Sequence, residues 1–278
     1  MPFRQIIVQI DESPASGLRA RAAADLAQRH GAHLTGVFLT SVYIRQYMAA
    51  ESLSALPADV VQQVLTGHDA AVAKVAEEAR GQFEAACAQN GVAHDWQMVG
   101  GDSPQPFVAV ARRSDLTIFP RQAKACLSEH SLSAAQVALA SGGPVLITPD
   151  DDYAPPVGRR VLVAWNGGRE AARALHDAWP ILEQAEAVHV LTVSPDGESD
   201  ADGLLSALFA KRGVKAELFT DPSQDEAAVD VIARHVAERG ADLLVMGLYG
   251  RPRLQELLLG GVSRAMVSAS PIPIFASH

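Results

Sequence analysis

The apolar run VLVAWN at residues 161–166 decides the fold, because it repeats the run IIVQID at residues 6–11. Each run is short, ends on a polar residue, and is followed by a polar turn and an alanine-rich segment of helical period. A second pair has the same relation, since SDLTIF at residues 114–119 matches ADLLVM at residues 241–246. The chain therefore contains two copies of one unit.

The two copies differ in internal length. The first pair is offset by 155 residues and the second by 127, so the first copy carries 28 additional residues, which we place between Thr40 and His68. Apolar residues there predict extra helical segments around Pro57. Residues 150–158 are charged, proline-bearing and aperiodic, as linkers are. We predict one domain at residues 1–150 and another at residues 158–278.

Within each copy, short β-branched runs alternate with helical segments. Residues 34–39 and 188–193 predict strands, Ser103 is placed to cap a helix that starts at Pro104, and residues 223–226 predict a capping box for a helix ending near Arg239. Strand and helix alternating at this length imply a parallel sheet with helices on both faces. The predicted fold class is α/β, with two tandem doubly wound, Rossmann-like domains.

Composition narrows the classes of function. The 278 residues are 48% hydrophobic and 20% charged, with a net charge of −9, which is typical of a globular protein. An acidic chain without a basic face is not expected to bind nucleic acid or a membrane. Cys87 and Cys126 lack metal-ligand spacing and are expected in the core as free thiols. The start of the chain does not resemble a signal peptide, so we expect a cytoplasmic protein.

A glycine pattern marks the candidate site. The fourth predicted strand of the second copy runs into Gly247, followed by Gly250, then by the pair Gly260-Gly261 and by Val262 and Ser263. In an open parallel sheet the ligand crevice lies beyond the carboxyl ends of the strands. Glycines there let backbone N–H groups approach an anion, and a helix beginning at the glycine pair directs its amides at a phosphate. The matching positions of the first copy are Pro120, Ala123, Ser133 and Ala134.

The sequence offers no catalytic machinery. It contains neither G-x-x-x-x-G-K-[ST] nor a G-x-G-x-x-G after a strand, and its four lysines lie away from any glycine loop. Nine histidines occur without H-E-x-x-H or cysteine partners, so no metal site is predicted. No general acid, general base or nucleophile can be named, and we predict no catalytic residue.

The tandem copies and the Gly247-x-x-Gly250-(nine residues)-Gly260 pattern resemble the universal stress protein family in its two-domain form. This resemblance covers the whole chain and implies a fold like that of the adenine nucleotide alpha hydrolases. It further implies ATP or ADP bound in the second copy and a regulatory, stress-response role. Assembly would then occur by pairing of sheet edges, between the two domains of one chain and in a homodimer.

The resemblance also assigns site residues. The residue after the first strand falls on Asn166, the adenine-side residue on Val193, and the phosphate loop on Gly247, Gly250, Gly260 and Gly261, with Val262 and Ser263 following. Arg251 is the preferred additional phosphate contact. The family commonly has Ser or Thr where this chain has Gly261, and an aspartate where it has Asn166, which argues against a bridging Mg²⁺. The first copy keeps Asp11 but lacks the loop, so no nucleotide is expected there.

The resulting prediction is a nucleotide-dependent regulatory protein without fast turnover, acting on an unidentified protein partner. Two alternatives stay open. One is a slow ATPase or phosphotransferase. The other is a ligand-free dimerisation scaffold whose contact surface is the insert at residues 41–68, with Tyr43, Tyr47 and Met48 as anchors.

Overall fold

The computed structural model describes residues 2–41, 57–128, 130–150, 153, 155–194, 203–223, 225–248 and 261–278. The prediction on Tyr43, Tyr47 and Met48 lies outside these residues. Helices cover both faces of one ten-stranded sheet. None of the helices in the described ranges has both the length and the apolar run that crossing a bilayer requires.

The described residues of the first half form seven strands and four helices. Its strands are β1 (Gln5–Ile10), β2 (His33–Thr40), β3 (His94–Gly100), β4 (Leu116–Pro120), β5 (Gln122–Lys124), β6 (Ser131–Ser133) and β7 (Val145–Thr148). Its helices are α1 (Pro14–His30), α2 (Ala58–Asn90), α3 (Pro104–Ala111) and α4 (Ala134–Ser141).

The described residues of the second half repeat the main strands and helices of this pattern. Its strands are β8 (Arg160–Ala164), β9 (Ala187–Val193), β10 (Ala216–Asp221), β11 (Leu243–Gly247) and β12 (Ile274–Ser277). Its helices are α5 (Arg169–Leu182), α6 (Leu204–Lys211), α7 (Ala228–Glu238) and α8 (Val262–Ala269). The predicted strands and the 127-residue offset between β4 and β11 are confirmed.

The sheet order is β10-β9-β8-β11-β12-β7-β4-β1-β2-β3, and every neighbouring pair is parallel except β12 and β7. Each half therefore has the doubly wound order, reversing between β1 and β4 and between β8 and β11. The α/β fold class is confirmed, with one addition: β5 and β6 form a separate antiparallel hairpin.

The two halves join through the antiparallel pair β7 and β12. Ile147 lies opposite Ile274 and Leu146 opposite Phe275, and all four side chains are buried. Phe3 stacks on Phe275 with ring centroids 6.5 Å apart, so one core spans both halves. Because the halves run in opposite directions, the carboxyl ends of their parallel strands lie at opposite ends of the sheet.

Two local predictions were wrong in detail. Ser103 is the N-cap residue of α3, but its side chain makes no capping hydrogen bond. The capping box predicted at residues 223–226 is absent, since α7 begins after Ala227 and Ser223 donates instead to Asp221, over 2.5 Å. Cys87 and Cys126 are buried free thiols as expected, and burial raises the pKa of each to about 11.

Candidate functional site

The candidate site lies at the carboxyl ends of β8 and β11, where the strand order of the second half reverses. The described residues that meet there come from the β8–α5 connection, the end of β9, the end of β11 and the start of α8. Gly250, Arg251 and Gly260 lie outside the described residues, as do all other positions from 249 to 260.

Asn166 is exposed and turns the chain from β8 into α5. Its side-chain Oδ1 accepts a hydrogen bond from the backbone N–H of Gly168 over 2.9 Å. Gly167 between them has φ +71°, a left-handed conformation that favours glycine. In the described part of the chain the side-chain amide nitrogen of Asn166 makes no hydrogen bond, so it keeps its donors for a ligand.

Val193 ends β9, next to β8 in the sheet. Its half-buried side chain packs against the core on the face that α7 and α8 cover. This position gives the crevice an apolar wall, which suits the face of a base.

Gly247 ends β11 directly beneath the first turn of α5. A Cβ at this position would lie 2.4 Å from the carbonyl carbon of Glu170 and 2.5 Å from the backbone nitrogen of Ala171. The fold of the second half therefore requires a glycine here, whatever binds nearby. The first half has Pro120 at the matching position, so the sequence alone did not reveal this need for glycine, which comes from the close approach of α5.

Helix α8 begins at Gly261 and presents an N-terminus without a side-chain cap. Val262 and Ser263 form its first turn, and the Ser263 hydroxyl donates to the Gly247 carbonyl over 3.4 Å. The first N–H groups of a helix have no partner within the helix and carry its positive dipole end. The start of α8 is thus fixed beside the end of β11, with backbone donors suited to an anion.

The corresponding helix of the first half is closed by its own side chains. Ser133 caps α4, accepting from the backbone N–H of Gln136 over 3.2 Å, while Gln136 Oε1 accepts from the Ser133 N–H over 2.9 Å. This capping box satisfies two backbone donors of α4, whereas no side chain caps α8. The difference comes from the N-cap and N3 residues, which are Ser133 and Gln136 in α4 but Gly261 and Arg264 in α8.

The crevice of the first half is also filled. The β5–β6 hairpin folds across the carboxyl ends of the strands, and the Cys126 N–H donates to the Leu39 carbonyl at the end of β2. Ala123, Ala125 and Leu132 of the hairpin are buried in the core. The hairpin therefore takes the space that a ligand would need.

Asp11, the first-half counterpart of Asn166, is held by neighbours within the protein. Its Oδ2 pairs with the Arg19 guanidinium at 2.9 Å, and its Oδ1 accepts from the Ser13 N–H over 2.9 Å. Arg19 is fully buried and also donates to the Gln9 carbonyl over 2.7 Å. By the 155-residue offset, the position of Arg19 is occupied by Ala174 in the second half. Alanine cannot form the ion pair, so the second half lacks this Asp11–Arg19 type of contact.

Sequence reasoning missed Glu170, which the fold places against Gly247. Its side chain is 11% exposed and accepts from the Arg169 guanidinium at 2.9 Å. A hydrogen bond from its own backbone N–H and the adjacent Arg169 hold the pKa of Glu170 below its ordinary value. The signal available in the sequence was an acidic residue in the first turn of the helix after β8.

A second polar cluster lies at the end of β10, opposite Val193. Asp221 Oδ2 lies 2.8 Å from His235 Nε2 and 2.9 Å from an Arg234 nitrogen, and the Ser223 hydroxyl donates to Oδ1. Hydrogen bonds from Ser223, then His235, then Arg234 lower the pKa of Asp221. Its partners occupy both oxygens, so this cluster fixes α7 on β10.

Within the described residues, no three His, Cys, Asp or Glu side chains converge to hold a metal ion.

Comparison with known proteins agrees with the fold. The universal stress protein family model matches residues 158–278. A universal stress protein structure from Archaeoglobus fulgidus DSM 4304 aligns over 98% of this chain and 97% of its own, with a TM-score of 0.71 and 18% identity. A protein of unknown function from Pseudomonas aeruginosa PAO1 aligns over 99% of this chain and 92% of its own, with a TM-score of 0.57 and 18% identity.

At these identities the alignments establish a shared fold over the whole chain. No curated protein matches the sequence.

Proposed function

We propose that this chain is a tandem member of the universal stress protein family, whose model matches residues 158–278, and that it binds ATP or ADP in its second half. The proposed domains are residues 1–150 and 158–278. The bound nucleotide serves a regulatory, stress-response role rather than fast turnover, and the first half stays free of nucleotide.

One observation carries this proposal: α8 starts beside Gly247 with uncapped backbone donors, while α4 is sealed by Ser133 and Gln136. The repeated units share one strand order, and they differ at the start of the helix before their last strand, where α4 has a capping box and α8 has no side-chain cap. The filled first-half crevice and the Asp11–Arg19 pair support the same asymmetry.

The proposed contacts follow from position. Asn166 faces the base or ribose with its free amide, Val193 lies on the adenine side, and Gly247 positions the loop. The phosphates are held by Gly250, Arg251, Gly260 and Gly261, and by the first amides of α8 at Val262 and Ser263. The nucleotide then shifts the protein toward the conformation that it binds more tightly. The size of this shift is set by the difference in binding free energy between the two conformations.

Native mass spectrometry of freshly purified protein and calorimetric titration with ATP in Mg²⁺ test the proposal. An added nucleotide mass, or saturable heat with ATP, is expected. No added mass and no heat at millimolar ATP would refute nucleotide binding and favour the scaffold alternative.

Turnover is tested separately. Incubation of the complex for several hours should leave the bound ATP intact if the role is regulatory. Sustained phosphate release that a Gly261→Asp variant abolishes would instead establish the ATPase alternative.

A further inference from the structure

An open cleft lies between the two halves, where α5 meets the residues just before β4 and β7. Its volume of about 480 Å³ is in the range of small-molecule sites, which often lie where two folded units meet. We propose that this cleft binds a small dicarboxylate, held between arginines on its two walls. The described residues assigned to the nucleotide do not line the cleft, so the proposal is independent of nucleotide binding.

The two walls come from different halves of the chain. Arg112 and Asp115, before β4, belong to the first-half wall. Arg173 and Asp177 of α5 belong to the second-half wall, together with Arg212 just after α6. Three arginines and two aspartates therefore line one cleft in a chain whose net charge is −9. The cleft is locally cationic on an acidic protein.

Both aspartates are engaged by the protein itself. Asp115 Oδ2 accepts from two backbone N–H groups at the start of β1, over 2.7 and 2.9 Å. Asp177 Oδ2 accepts from the Arg173 guanidinium over 2.7 Å and from the Ser277 hydroxyl over 3.0 Å. Arg173 therefore has a close acidic partner, whereas Asp115 is held by the backbone and neutralises no arginine of the cleft.

The other two arginines make no close ion pair within the described residues. Arg112 donates from Nε and Nη2 to the Ala140 carbonyl of α4, over 3.2 and 3.0 Å, and this partner is neutral. The Arg212 guanidinium lies 5.1 Å from the centre of the Trp179 ring, and its carboxylate partner Glu183 is 3.8 Å away and 43% exposed. Solvent screens such a pair. One guanidinium charge on each wall is thus open to a ligand.

The placement of these two charges selects the ligand. A guanidinium has five N–H donors in a planar fork that matches a carboxylate, and Arg112 uses only two of them. Because Arg112 and Arg212 belong to opposite walls, a ligand with a carboxylate at each end can engage both. A single oxyanion, such as acetate or inorganic phosphate, engages one wall. Two negative charges also balance the two open cations.

The corresponding space beside α1, the counterpart of α5 by the 155-residue offset, is filled by the linker. Tyr153 and Val157 of the linker are buried, and the Val157 carbonyl accepts from the Arg29 guanidinium over 2.6 Å. Burial raises the pKa of the Tyr153 hydroxyl to about 12, and the nearby Arg19 and Arg21 of α1 act against this rise. The chain itself thus occupies the space beside α1, whereas the space beside α5 is open.

Isothermal titration calorimetry of the full chain at constant ionic strength tests the proposal with succinate, glutarate and adipate. We expect saturable binding of at least one of them, and binding of acetate and inorganic phosphate weaker by about tenfold or more. Arg112→Gln and Arg212→Gln should each weaken dicarboxylate binding by about tenfold, because each removes one carboxylate contact. Arg112→Lys, which keeps the charge but loses the planar fork, should weaken it less.

Arg113→Gln is the matched control, because Arg113 is the exposed neighbour of Arg112 and does not line the cleft. It should bind the dicarboxylate as the wild type does. Circular dichroism of each variant checks folding, and Arg112→Lys decides if Arg112→Gln does not fold. Absence of saturable heat with all three dicarboxylates would overturn the proposal, as would equal affinity for acetate or phosphate. Equal losses in Arg113→Gln and Arg112→Gln would also overturn it.

Discussion

Gly247 has no room for a side chain, because the first turn of α5 packs directly on it. A Gly247→Ala change forces helix and strand apart, and we expect it to lower the free energy of unfolding by about 2–3 kcal/mol. Urea denaturation measures this. Gly67→Ala is the control, since Gly67 lies in α2 with nothing within 4 Å of its Cβ position.

The control should gain about 0.5–1 kcal/mol, because alanine is the better helix former. Equal stabilities of Gly247→Ala and the wild type would show that α5 does not approach β11 this closely.

His30 is buried between the two halves and gives stability a pH dependence. Burial, with a smaller effect from Arg29, lowers the pKa of His30 from 6.5 to about 4. Between about pH 4 and pH 6.5, His30 therefore carries a proton in the unfolded chain but not in the native protein. The stability attributed to neutral His30 is complete above pH 6.5 and is lost as the pH falls towards 4.

From pH 7 to pH 5 this loss should be about 2 kcal/mol in urea denaturation. His30→Gln removes the titrating group, so its stability should fall less over that interval by about the same amount. Parallel pH profiles of the two proteins would contradict a depressed pKa at this site.

At the level of whole elements, the N-termini of α3 and α4 provide a matched pair. Ser133 makes the capping bonds of α4, whereas Ser103 occupies the N-cap of α3 without a side-chain bond. Ser133→Ala should therefore cost about 1 kcal/mol in the free energy of unfolding and Ser103→Ala much less. Thermal or urea unfolding distinguishes them, and equal losses would contradict the capping geometry.

The elements themselves were largely predictable from sequence, because short apolar runs alternate with helical periodicity. Details that depend on tertiary contacts could not be predicted from the sequence. Ser223 follows the pattern of a capping box, yet its hydroxyl donates to Asp221, which also binds Arg234 and His235 on α7. Local pattern cannot show whether the serine hydroxyl accepts from a helix N–H or donates to a nearby carboxylate.

For the molecule as a whole, the internal repeat predicted two matching sheets, and the family resemblance implied the pairing of their edges. The β5–β6 hairpin was not predictable, because its burial depends on Leu39 at the end of β2 and on the α3 core residue Phe107, both distant in sequence. The close approach of α5 to Gly247 was hidden for the same reason. The predicted site residues at 249–260 and the predicted homodimer stay predictions.

The asymmetry between the halves predicts one nucleotide per chain, bound only at the second-half helix start. Asp at an N-cap satisfies the first amides of the helix and repels phosphate. Gly261→Asp at the N-cap of α8 should therefore lose ATP binding, and Ser133→Asp at the N-cap of α4 should keep it.

Calorimetric stoichiometry of ATP binding in Mg²⁺, compared among the wild type, Gly261→Asp and Ser133→Asp, is the most direct measurement. We expect one equivalent per chain for the wild type and Ser133→Asp, and none for Gly261→Asp. Two equivalents in the wild type, or loss of binding in Ser133→Asp with retention in Gly261→Asp, would contradict a site confined to the second half.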